Sequence, residues 1–123
     1  MSTSSGPPVP GKDTLDLIVD MPAVQSPQVL DGDTVSVASL PGRGLTLIVP
    51  ASEFAGPSLL SVTANDSSNI AASWFFTKVA NEVYEHNASA DEISLFIGHS
   101  VLCSYAMAGG HHNSQLLRFT VIA

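Results

Sequence analysis

Cysteine is nearly missing from this sequence. Cys103 stands alone, so no internal disulfide is possible. It lies in the apolar stretch Val101-Leu102-Cys103-Ser104-Tyr105, with no neighbour to stabilise a thiolate, and reads as a small buried hydrophobe. Positive charge is almost as scarce. Lys12, Arg43, Lys78 and Arg118 face eleven acidic residues, for a net charge of −7. The four are scattered, so no basic patch exists to neutralise phosphates. This argues against nucleic acid as a partner and against an anionic membrane surface. No apolar run approaches the roughly 20 residues of a membrane-spanning helix, so no membrane insertion is expected. The opening MSTSSGPPVPGKD carries no apolar core of a signal peptide.

Catalytic motifs are missing too. There is no Walker motif, no Gly-x-Gly-x-x-Gly and no Gly-x-Ser-x-Gly, so neither a nucleotide nor any other cofactor is expected. Gly98-His99-Ser100 sets a histidine beside a serine, but adjacent strand residues point to opposite faces. The pair makes a poor nucleophile and base, and reads as a turn between strands. No catalytic residue is assigned and no enzyme is expected.

What is present is apolar residue in quantity, 45% of 123 residues, with only 12% charged. That suits one packed domain. Residues 1–13, rich in Ser, Gly and Pro, read as a flexible tail, and residues 14–123 as a single domain. Short β-rich runs alternate with turn residues along that domain. The runs are Leu15–Asp20, Thr34–Val37, Leu45–Val49, Leu59–Ala64, Ser73–Val79, Ile93–Ile97, Val101–Met107 and Leu116–Ile122. Asp31-Gly32-Asp33, Leu40-Pro41-Gly42-Arg43-Gly44, Asn65 to Asn69 and Gly109-Gly110 are the turns. Seven or eight short strands at near-regular spacing predict an all-β, antiparallel sandwich. One piece competes. Ser89-Ala90-Asp91-Glu92 fits a helix capping box, but Gly98 within the run favours strand over helix for residues 90–108. Val79 to His86 reads as a short helix or a long loop.

Residues 28–122 resemble the Ig-like repeat domains of large bacterial surface and adhesin-like proteins. The strand ending in Val-Pro, Leu45-Thr46-Leu47-Ile48-Val49-Pro50, leads through small residues into Leu59-Leu60-Ser61-Val62-Thr63. A closing hairpin follows the same pattern, with Ser104-Tyr105, Gly109-Gly110, Ser114 and Leu117-Arg118-Phe119-Thr120-Val121. The resemblance implies an Ig-like sandwich, an extracellular or cell-surface location and an adhesive or spacer role. It supplies no catalytic residues.

Binding is then expected in the loops, at 65–72, 80–91 and 108–114, because loops vary while a sandwich stays fixed. The candidate ligand-binding side chains are Asn69, His86, Asn87, His111, His112 and Asn113. The histidines read as solvated loop residues rather than metal ligands, since adjacent histidines on a strand diverge. The acidic turns at Asp31-Gly32-Asp33 and Asn65-Asp66-Ser67 read as turn formers before calcium sites, since calcium wants six or more oxygens. No metal site is assigned. Trp74 reads as a core tryptophan, with one of Trp74, Phe75 and Phe76 facing away from the others. The expected function is a non-enzymatic binding or adhesion module for a carbohydrate, a protein or a cell surface. The alternative is a structural subunit of a phage or surface fibre that forms a homo-oligomer through an exposed strand edge.

Overall fold

The computed structural model describes residues 18–107 and 112–123. The 1–13 tail, the Gly109-Gly110 turn and His111 lie outside the described residues. Nine strands are present among those described: β1 (Ile18–Met21), β2 (Asp33–Ser36), β3 (Leu45–Val49), β4 (Gly56–Ala64), β5 (Ala71–Lys78), β6 (Tyr84–Ala88), β7 (Ser100–Met107), β8 (His112–Ser114) and β9 (Leu117–Ile122). One short helix, α1 (Ala90–Ser94), separates β6 from β7. The all-β expectation stands.

Seven strands form one curled sheet. Its antiparallel centre is β5–β4–β7, and β7 then pairs with both β8 and β9, which follow one another along the same line. The outer flank is shared by β1 beside β8 and β2 beside β9, and both of these pairs are parallel. The sheet is therefore mixed, which corrects the antiparallel expectation. Strands β3 and β6 form a second, two-stranded antiparallel sheet.

Alternation explains the core. Leu60, Val62 and Ala64 of β4, Val101, Cys103 and Tyr105 of β7, and Phe119 and Val121 of β9 all face inward. They join Leu45, Leu47 and Val49 of β3 in one cluster. Two features tie the small sheet to the large one. Between β1 and β2 the chain crosses over: Gln25 exchanges backbone hydrogen bonds with Ile48 at 2.9 and 2.7 Å, and Val24 and Val29 are buried. On the other side, aromatic rings of β5 meet those of β6. Phe76 stacks on Tyr84 at 4.2 Å, and Trp74 lies 4.4 Å from the His86 ring.

Two local expectations are corrected. Ile93–Ile97 is not a strand but continues from α1 through a turn. A strand would bury 93, 95 and 97 together; instead Ile93 and Phe96 are fully buried while Leu95 and Ile97 are exposed. That is helical spacing. The capping box is formed: the Ser89 hydroxyl accepts from the Glu92 N–H at 3.1 Å, and the Glu92 carboxylate accepts from the Ser89 N–H at 2.9 Å. Second, Val79 to His86 is neither a helix nor one long loop, because β6 begins at Tyr84.

Candidate functional site

The outward side chains of β4, β5 and β7 are uncharged. β5 contributes Ala71, Ser73, Phe75 and Thr77; β4 contributes Pro57, Leu59, Ser61 and Thr63; β7 contributes Ser100, Leu102, Ser104 and Ala106. The register aligns them in rows. One row runs Phe75, Leu59, Ala106, Asn113, Val19 across five strands. Four strand spacings make it about 19 Å long.

The face is concave at one end. A cavity of about 600 Å³ is lined by Val19, Asp31, Ser104, Asn113, Ser114, Gln115, Leu116 and Arg118. Its origin is local. Gln115 and Leu116 interrupt the line between β8 and β9, and β1 and β2 leave a matching gap opposite. The Gln115 N–H reaches across to the Met21 carbonyl at 3.0 Å. The other rim is held by the Asp31 turn. The Asp31 carboxylate accepts from the Arg118 N–H at 2.8 Å, and the Gly32 N–H donates to the Arg118 carbonyl at 2.7 Å. The Arg118 guanidinium lies 3.6 Å from the same carboxylate, with both side chains more than half exposed. The cavity thus offers hydroxyl, amide and charged groups above the apolar walls of Val19 and Leu116. Its volume lies in the range of small-ligand sites.

The residues expected from sequence do not converge there. Asn113 lines the cavity, but it sits in β8 rather than in a loop. His112 is also in β8. Its Nδ1 is 2.8 Å from the Asp20 carboxylate and its ring lies 5.2 Å from that of Phe54. His86 and Asn87 lie in β6, which corrects their placement in a loop. Asn87 accepts from the Thr46 hydroxyl at 2.7 Å. Asn69 takes a left-handed φ of 63° in the turn before β5, a conformation asparagine tolerates. His111 lies outside the described residues.

His86 is packed under Trp74, and its Nε2 is buried without a hydrogen-bond partner among the described residues. Burial pushes this imidazole below its ordinary 6.5, while the Glu92 carboxylate pulls the other way. The Trp74 indole N–H donates to Glu92 at 3.0 Å. Glu92 is held below its ordinary 4.5 chiefly by the Ser89 backbone N–H, with the Trp74 bond adding to it. Trp74 is partly buried against the core, while Phe75 faces outward and is 83% exposed.

His99 is turned to Asp66, with 2.5 Å between Nδ1 and the carboxylate. The Ser100 hydroxyl instead shares a hydrogen bond with Thr120 at 3.1 Å. Asp66 is drawn down to about 2, first by the Ser68 side chain and backbone, then by His99. Among the described residues no group of three His, Cys, Asp or Glu side chains is placed to hold a metal ion. No helix among them is long and apolar enough to cross a membrane.

No family model, no curated protein and no solved structure matches this chain. Of the cavity's other lining residues, Val19, Ser104, Ser114 and Arg118 sit on strands, while Asp31, Gln115 and Leu116 lie in short connections outside the expected binding loops. The available signals were the polar Ser104 amid an apolar strand and the Gln115-Leu116 break before the last strand.

Proposed function

We propose that this domain is a non-enzymatic binding module of the adhesion type that recognises carbohydrate through the cavity on its large sheet. The observation that carries this reading is the mixed lining of that cavity. A sugar ring presents an apolar C–H face and a fringe of hydroxyls. Leu116 and Val19 suit the first; Asn113, Gln115, Ser104, Asp31 and Arg118 suit the second. The resemblance to Ig-like adhesin repeats supports the same reading. So does the architecture, in which β2 runs parallel to the last strand, β9, on the edge of the larger of two sheets.

The test is a glycan array probed with the wild-type domain and with Asn113→Ala and Arg118→Ala. One sugar class is expected to bind the wild type, and each substitution to weaken that binding roughly tenfold, as for loss of a hydrogen bond to a ligand. An array blank for the wild type, or binding indifferent to both substitutions, contradicts the reading. A second reading, an assembly subunit of a surface fibre or phage, is favoured by one observation: among the described strands, β5 pairs with β4 alone.

A further inference from the structure

A strand at the end of a sheet leaves half of its backbone N–H and C=O groups unpaired, and folds usually guard such edges. Here most edges are guarded. β1 and β2 have four residues each and carry Asp20 and Asp33. β1 also has an irregular register at Asp20. β3 is covered by Gln25 through its backbone, and by Gln28, whose side chain accepts from the Thr46 N–H at 3.0 Å and donates to the Gly44 carbonyl at 3.2 Å. β6 has five residues and an exposed Glu85.

β5 is the exception. It has eight residues, Ala71–Lys78, and among the described strands it pairs with β4 alone. Its sequence AASWFFTK contains no proline and no acidic residue. Its one charged side chain, Lys78, is only 2% exposed and donates to the Val79 carbonyl at 2.7 Å, so it does not defend the edge. Phe75, 83% exposed, stands in the middle of the strand.

We propose that β5 docks a second copy of this chain, antiparallel and about a two-fold axis, so that the two large sheets become one. The proposal rests on the assembly reading and not on the carbohydrate cavity, which lies at the opposite flank of the sheet. Three arguments select a second copy as the occupant. An antiparallel strand pair is its own two-fold mate, so the same edge serves both partners. With Phe75 opposite Phe75 of the second copy, Ser73 falls opposite Thr77, and every outward pair is uncharged. Finally, two chains that each carry −7 repel over most of their surface, so they must meet where charge is absent. Such pairing supplies up to about eight inter-chain backbone hydrogen bonds and removes the exposed phenylalanines from water.

The experiment is sedimentation velocity over a wide range of protein concentration, on wild type and on Phe75→Lys. Phe75 is 83% exposed, so Phe75→Lys should keep the wild-type circular dichroism and the melting temperature that wild type shows at low concentration, where no dimer adds to it. The wild type is expected to form a dimer, and Phe75→Lys to weaken it by roughly tenfold or more, because like charges would then face each other across the seam. The double variant Ser73→Lys with Thr77→Lys, which sets lysine against lysine across the seam, serves if Phe75→Lys does not fold. A wild type that stays monomeric throughout overturns the proposal, even if an unrelated extended peptide binds the edge. So does a dimer that both variants leave intact. Glycan binding by the monomeric variant would be unaffected, which keeps this test separate from that of the cavity.

Discussion

Tyr105 is 2% exposed, and its phenolic oxygen has no hydrogen-bond partner among the described residues. Burial pushes its pKa up to about 12. An unsatisfied buried hydroxyl costs free energy, so Tyr105→Phe should leave stability unchanged or raise it by up to about 1 kcal/mol. Urea unfolding measures this directly, and a loss larger than that would mean the hydroxyl is bonded. His86 carries a second expectation at this scale. Its folded pKa is depressed, so the unfolded chain takes up the proton first as pH falls. Stability should therefore decline as pH drops from 6.5 towards the lower folded value. The melting temperature of wild type measured between pH 8 and 5 should show this slope, and His86→Gln should flatten it. Equal slopes would place the titrating group elsewhere. Some of this was legible from sequence. Cys103 reads as a buried hydrophobe, and it is buried, with its thiol pushed up to about 12 by desolvation. The roles of His86 and His112 were not legible, because their partners Trp74, Asp20 and Phe54 are distant in the chain.

Among the elements, the turn into β3 has the sharpest requirement. Gly44 has φ of 88°, and an added Cβ would overlap the Ala88 carbonyl at the end of β6. Gly44→Ala therefore combines a left-handed backbone with a backbone clash. It should cost about 2–4 kcal/mol, measurable by chemical denaturation against wild type. A cost below 1 kcal/mol would mean that β3 and β6 are not so closely apposed. The alternation of Leu45 to Val49 and of Val101 to Met107 made those strands legible. β6 was not, because Tyr-Glu-His-Asn-Ala has little intrinsic strand preference and is held by its pairing with β3. The capping box at Ser89 was visible in the residues, yet Gly98 argued against a helix. In the structure α1 ends at Ser94, and Gly98 supplies a φ of 90° in the turn before β7. The parallel pairing of β1 and β2 leaves no trace in periodicity, which records faces and not strand direction.

Over the whole molecule, the acidic balance of the sequence resolves into a distribution. The outward face of the large sheet carries Arg118 and almost no acidic group, while carboxylates such as Asp20, Asp31, Asp66 and Glu92 work in local bonds at edges and turns. Two of these tie pH to folding. Asp66 and Glu92 are held below their ordinary values, so what they contribute is present above about pH 4. It is lost as pH falls, for Asp66 down through about 2. The short alternating runs and turn signals thus made an all-β fold legible, while the composition left its charges unplaced. Neither located the site, since the cavity arises where two broken strand lines meet, a property of topology rather than of any segment. The most direct test of the binding account is a two-dimensional amide NMR titration with the oligosaccharides that score on the array. The account expects shift changes concentrated at Val19, Ser104, Asn113, Gln115, Leu116 and Arg118. Changes centred instead on the turns at 65–70 and 79–83, or no changes at all, would contradict it.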